Sequence, residues 1–223
     1  MWVVQAFAGI ASAAGMTSRD GRRGRISPIP DRPVDNAKHY ITKNPMYGPW
    51  DEKHELAMFG MGCFWCSEGL FMRLPGVVST QVGYAGGDWE NPAYDEVCQG
   101  YTDHNEVVRI VFDPESVTYR DLLKIFWENH NPTTLNRQGS DRGTHYRSGI
   151  YYYNEEQHKV ALESKNLYQT ALIEGERGTG MIVTEILEAP EFYYAEDKHQ
   201  QYEAKPGSRP YCGLRPLGVI LEL

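Results

Sequence analysis

The sequence has few cysteines, few basic residues relative to acidic ones, and no long apolar run. Only four cysteines occur in 223 residues, Cys63, Cys66, Cys98 and Cys212. That is too few for a scaffold stapled by disulfides, and a chain of this length buries a core without them. Lysine and arginine total 22 against 30 acidic residues, for a net charge of -8. An overall electrostatic pull toward nucleic acid or anionic lipid is therefore not expected. No apolar run approaches the roughly 20 residues of a membrane span. Hydrophobic residues at 41% and charged residues at 23% are those of an ordinary globular domain, which excludes collagen-like, mucin-like and wholly disordered chains.

The first part of the chain has a different composition. Trp2 to Met16 is apolar and uncharged, and Arg19, Arg22, Arg23 and Arg25 follow it. A secretory signal carries its charges before the apolar part, so this order does not fit one. Residues 1–42 read as a disordered leader or an organelle-targeting segment, and residues 43–223 as a single catalytic domain. The expected location is cytoplasmic, with organelle targeting by the leader as the alternative.

Periodicity and turn residues order the rest. Strands are expected over residues 55–60, 77–84, 106–112, 146–153 and 181–187. A helix follows Cys63 and ends before Pro75; a second opens on the capping box of Thr118 and Asp121, a third near Asn154 and Gln157. Residues 88–104 and 137–144 show no period and read as loops. The order β-α-β-β-α-β, then helix and strand, is that of an α+β fold. Its core is a ferredoxin-like split β-α-β, followed by a long C-terminal coil.

Chemistry concentrates at a few positions. Cys63 follows Gly62 at a strand–helix junction, where backbone N–H groups favour a thiolate. Cys66 completes a CxxC spacing, which suits a redox pair or half of a zinc site. Cys98 and Cys212 lack partners at ligand spacing, so zinc is not expected. Glu106 enters an apolar strand, where burial would raise its pKa and keep a general acid protonated. Tyrosine is abundant at 15 residues, and Tyr94 and Tyr146 stand in loops or at strand edges, where a hydroxyl can donate to a developing oxyanion.

Taken in order, several blocks resemble the peptide methionine sulfoxide reductase family, type A. They include Gly62-Cys63-Phe64-Trp65, Gly83-Tyr84-Ala85-Gly86-Gly87, Asn91-Pro92-Ala93-Tyr94 and His104-Asn105-Glu106-Val107. Asp141-Arg142-Gly143-Thr144-His145-Tyr146 and Tyr193 to Tyr202 extend the match, which spans roughly Phe59 to Leu214. The resemblance implies reduction of the S epimer of methionine sulfoxide, free and in proteins. It implies Cys63 as nucleophile and Glu106 as proton donor, aided by Tyr94 and Tyr146. Asp141 would support the polar side of the pocket, and Phe64 and Trp65 would form an apolar wall for the substrate methyl group.

The product on Cys63 would be a sulfenic acid, which a second thiol converts to a disulfide. The resemblance implies no bound cofactor and no metal, with a thioredoxin-type protein as external reductant. Implied partners are sulfoxide-containing proteins and peptides and free methionine sulfoxide, with no nucleic acid or membrane and a monomeric state. Two positions depart from the family pattern. Cys66 stands where glycine is common, and the tail holds one cysteine, Cys212, where two are frequent. Cys212 is the expected resolving thiol and Cys66 the alternative; Cys98 is expected to be structural. General thiol–disulfide exchange at the CxxC, or a binding module for oxidised methionine, are the competing functions.

Overall fold

In the computed structural model, which describes residues 37–175, 180–209 and 211–222, the apolar run Glu55–Met61 forms the central strand β1. Strand β2 spans Val77–Ala85 and β3 spans Asn105–Phe112. After a two-stranded hairpin, β4 (Arg137–Gln138) and β5 (Asp141–Arg142), come β6 (Ser148–Tyr152), β7 (Glu185–Glu188) and β8 (Phe192–Tyr194). Helices α1 (Phe64–Phe71), α2 (Tyr94–Cys98), α3 (Tyr119–Glu128) and α4 (Glu155–Glu174) connect them. The main sheet runs β7-β6-β1-β3-β2-β8. Its inner four strands, β6-β1-β3-β2, pair antiparallel throughout, as in a ferredoxin-like split β-α-β. The α4 crossover adds β7 parallel to β6, and β8 closes the other edge antiparallel to β2.

Both faces of the central strands are buried, which is why they read as nearly continuous apolar runs. Ala57, Phe59 and Met61 of β1 join Val108, Ile110 and Phe112 of β3 on the helix side. Met58, Val107 and Tyr151 form a smaller cluster on the opposite face. Phe59 lies 5.7 Å from Phe71 of α1 and 5.2 Å from Phe126 of α3, centroid to centroid. Its full burial contributes roughly 1.5–3 kcal/mol.

The helix starts form as their sequences dictate. Thr118 Oγ1 accepts the Asp121 N–H at 3.2 Å, and Asp121 Oδ2 accepts the Thr118 N–H at 2.9 Å. Asn154 Oδ1 accepts the Gln157 N–H at 2.9 Å at the start of α4. The buried row of α4 is Val160, Ala161, Ser164, Tyr168 and Leu172. Leu167 is exposed, because the steps of four in this row drift around the helix and leave it on the flank.

Other expectations are corrected locally. The stretch 88–104 contains the short helix α2, whose start is tied by the Ala93 N–H to Glu96 Oε2 at 2.9 Å. The stretch 137–144 folds as the β4–β5 hairpin around Gly139, which sits at φ +58°. Tyr146 ends a single helical turn, Thr144–Tyr146, and the strand begins two residues later. The last expected strand, 181–187, is paired only over Glu185–Glu188. The leader expected over residues 1–42 falls outside the described residues up to 36, whereas residues 37–42 pack onto the domain through the buried His39.

Candidate active site

Strand β1 ends at Met61, and Gly62 turns the chain at φ +105°. A side chain there would meet Gln138 Cβ at 2.7 Å, so this crossing needs a glycine. Cys63 then takes the N-cap position of α1 and is 7% exposed. The next residue, Phe64, donates its backbone N–H to Glu106 Oε2 at 3.0 Å. Glu106 is the second residue of β3 and is 1% exposed. Burial pushes its carboxyl up to about 8, and the Asp141 charge adds to this against the Phe64 N–H. The acid stays protonated at neutral pH.

The tyrosines converge on the same point. Tyr94 opens α2 and is fixed by its backbone N–H to Glu196 Oε1 at 3.1 Å. Its ring lies 6.4 Å from Phe64 and 4.6 Å from His199. Tyr146, half-buried, stands at the end of its turn. Burial and then the Glu106 charge push both phenols well above their ordinary range, and Cys63 acts on both. They remain hydrogen-bond donors at any working pH. Asp141 projects from β5, with Oδ1 accepting the Tyr211 hydroxyl and Oδ2 buried without a partner.

The apolar side is aromatic. Phe64 packs with Tyr84, Val82, Val97 and Ala195. Trp65 stacks on Tyr202 at 4.0 Å and 14°, and its indole N–H donates to His199 Nδ1 at 3.1 Å. Burial lowers His199 to about 4, so it serves Trp65 as a neutral acceptor. His199 and Tyr202 were not assigned roles from the sequence. Their signal is their place in the aromatic block Tyr193 to Tyr202; the His199 contact with Trp65 spans 134 residues, and neither contact has a local trace.

All four cysteines are free thiols. Cys66, 3% exposed, lies between two of them, within hydrogen-bonding reach of Cys63 and of Cys212. Its thiol also donates to Tyr211 O at 3.3 Å. The contact with Cys66, then burial, then the Glu106 charge push the Cys63 thiol up, and only the Trp65 N–H draws it down. The helix start alone would lower it, as the sequence suggests, but here burial and the second thiol outweigh that pull. Cys66 is drawn down to about 7 by donation from Cys63, and Cys212, exposed in the tail, is raised to about 11 by partial burial. Cys98 lies apart from this row, one helical turn after Tyr94 and within reach of its hydroxyl.

The tail crosses the site. Leu214 is buried against Gly62, and Gly213 packs so close to Asp141 that a Cβ would lie 2.2 Å from Oδ2. The structure thus brings together Cys63, Glu106, Tyr94, Tyr146, Asp141, Phe64 and Trp65, with Cys66 in reach of both Cys63 and Cys212. No group of three or more histidine, cysteine or acidic side chains that could hold a metal occurs among the described residues. No described helix is long and apolar enough to cross a membrane.

Comparison with known proteins gives a consistent result. Residues 55–218 match the family model described as peptide methionine sulfoxide reductase. Over 201 residues the chain is 55% identical to the peptide methionine sulfoxide reductase MsrA 1 of Synechocystis sp., covering 90% of this chain and 86% of that protein. A Brucella melitensis peptide methionine sulfoxide reductase MsrA is 51% identical over 196 residues, with 88% and 87% covered. Among solved structures, methionine sulfoxide reductase A of Corynebacterium diphtheriae superimposes with a TM-score of 0.73 at 36% identity, over 90% of this chain and 99% of that one. Mxr1 from Saccharomyces cerevisiae in reduced form gives a TM-score of 0.64 at 31% identity, over 78% and 96%.

Proposed function

This chain belongs to the peptide methionine sulfoxide reductase family, and from that membership we propose how its own residues reduce methionine S-sulfoxide, free and in proteins. A sulfoxide oxygen leaves only once protonated, so a thiol nucleophile needs an acid beside it. The observation that carries this reading is the buried Glu106 carboxyl, held by the Phe64 N–H next to Cys63 and raised to about 8. As Cys63 sulfur attacks the sulfoxide sulfur, Glu106 gives its proton to the oxygen and takes up the proton that the Cys63 thiol sheds, so the acid is regenerated. The Tyr94 and Tyr146 hydroxyls donate to that oxygen as charge develops on it. The substrate methyl group rests on Phe64 and Trp65, and Asp141 orients the polar side. The oxygen passes to Cys63 as a sulfenic acid and methionine leaves.

A second thiol then attacks Cys63 sulfur, expelling the hydroxyl as water and forming a disulfide. Cys212 is the thiol we assign to this step, because it is exposed and can carry the disulfide to an external reductant. Cys66, in reach of both Cys63 and Cys212, is the alternative first partner. A thioredoxin-type dithiol closes the cycle, two thiols becoming a disulfide as the enzyme regains two. The protein acts as a monomer, without a bound cofactor. The tail over Cys63 has to lift for a protein substrate to enter.

The test is one turnover without reductant, with released methionine counted and disulfides mapped by mass spectrometry. One methionine per chain and a Cys63–Cys212 link are expected. A Cys63–Cys66 link would move the first resolving step to Cys66. No methionine, or thioredoxin-dependent turnover by Cys63→Ser, would overturn the mechanism.

A further inference from the structure

The segment Ala37–Met46 lies outside the residues that match the family model, yet it is linked through Thr80 of β2 and through Gln201 to the helix that follows Cys63. It forms a closed turn, with His39 N–H to Asn44 O at 2.9 Å, Lys43 N–H to His39 O at 3.0 Å and Met46 N–H to Ala37 O at 2.9 Å. His39 is fully buried. Its Nδ1 accepts the N–H groups of Ile41 at 3.3 Å and Thr42 at 3.1 Å. The ring proton therefore sits on Nε2, which donates to Thr80 Oγ1 at 2.9 Å. Burial keeps this histidine neutral, lowering it to about 4.

Each further bond points the same way. Thr80 Oγ1 donates to Glu68 Oε1 at 2.8 Å. Gln201 donates its side-chain amide to Glu68 Oε1 at 2.9 Å and its backbone N–H to Oε2 at 2.7 Å. The same amide reaches Thr80 O at 3.0 Å, and Gln201 Oε1 accepts the Tyr40 N–H at 3.2 Å. Glu68 is thus a fully buried acceptor on α1, three residues past Trp65, with every partner donating to it. Gln201 is held at φ +45°, a strained conformation for a non-glycine residue, and these bonds fix it there. The residues on either side of this corner grip Trp65: His199 accepts its indole N–H and Tyr202 stacks on its ring.

We infer that the His39–Thr80–Glu68–Gln201 chain of hydrogen bonds is the positioning device for Trp65, through which segment Ala37–Met46 governs substrate binding. The inference rests on the reading of Trp65 as a wall of the methyl pocket. These are positioning residues, since none touches the reacting atoms. Losing a link leaves the Cys63 and Glu106 geometry intact but loosens one wall. The expected signature is a raised KM with little change in kcat.

The test is a double-mutant cycle in the full-length chain, assayed on free methionine sulfoxide. Thr80→Val, which keeps the shape and removes the hydroxyl, should raise KM roughly fivefold to tenfold and leave kcat within about twofold. In a Trp65→Phe background the same change should have almost no further effect, because the wall it positions is already altered. An unchanged KM, or the same rise in both backgrounds, overturns the inference. Hydrogen exchange on the wild type needs no variant. The amides of Ile41, Thr42 and Gln201 and the Trp65 indole N–H should open as one unit with a shared denaturant dependence. Independent opening overturns the inference as well. Failure of the proposed reaction itself would look different, as wild-type protein that releases no methionine.

Discussion

Phe64 and Glu106, 42 residues apart in sequence, are joined by a single backbone-to-carboxyl hydrogen bond of 3.0 Å. The bond links the first turn of α1 to the start of β3 and holds the Glu106 carboxyl beside Cys63. It supplies only part of what an ionised carboxylate would need in a buried site, which is why the proton stays on.

The stability of the fold should therefore carry the mark of this acid. Folded Glu106 holds its proton up to about 8, whereas the unfolded side chain loses it near its ordinary value of 4.5. The folded state binds the extra proton in that window, so the contribution of Glu106 to stability falls as pH rises from 4.5 to 8. Glu106→Gln removes the penalty, and its gain should reach a few kcal/mol above pH 8, at about 1.4 kcal/mol per pKa unit. Thermal unfolding at pH 5 and pH 9 checks this: the variant's advantage should be larger at pH 9, while methionine release is lost at both. An equal advantage at the two pH values would count against a buried, protonated Glu106.

Tyr94 and Tyr146 donate to one oxygen in the proposed transition state, so each partly replaces the other. Tyr94→Phe or Tyr146→Phe should each slow single-turnover methionine release by about tenfold. The double variant should lose on the order of 10²–10³-fold, in the range of oxyanion-donor deletions. Rapid-quench measurement of methionine decides the matter, and a double variant no slower than the singles would remove the tyrosines from the reaction.

Gly213 allows the tail to lie against Asp141, and a Cβ there would sit 2.2 Å from Oδ2. Gly213→Ala should displace Tyr211–Leu214 and move Cys212 away from the buried thiols. The first methionine should be released at the wild-type rate, followed by steady-state turnover slowed several-fold. A burst of one methionine per chain distinguishes this outcome from general damage, which would slow the first turnover too.

Four buried histidines, His39, His104, His130 and His199, are lowered to about 4 by burial. Unfolded, they take up protons from about 6.5 downward, so as pH falls from 6.5 toward 4 they draw the equilibrium to the unfolded state. Glu106 and Glu68, raised to about 8 and 7, oppose this over the part of the window above 4.5. Urea midpoints should fall between pH 6.5 and 4.5, and more steeply in Glu106→Gln. A flat profile would mean that the histidines are not held neutral.

Much of the fold was readable because its signals are local. The capping pair Thr118 and Asp121, the Asn154–Gln157 start and the apolar runs of β1 and β3 each act within a few residues. The two-residue strands β4 and β5 have no period to read, so the hairpin that carries Asp141 looked like a loop. The burial of Glu106 was readable from its place in an apolar strand, but the balance at Cys63 was not. A helix start is visible in sequence; a second thiol in contact and 7% exposure depend on packing. Likewise, nothing near Trp65 announces His199, Tyr202 or the Gln201 corner, because each meets it through the tertiary fold.

The order in which the site is made has its own consequence. Trp65 meets His199 across 134 residues, and Cys66 meets Tyr211 across 145. A chain emerging from the ribosome presents Cys63 long before the residues that close over it. Contacts of such long range are also the slowest to form. Until residues 199–214 arrive, Cys63 is an ordinary cysteine open to any oxidant in its surroundings, with Cys66 the one site thiol already at hand to reduce the damage to a disulfide.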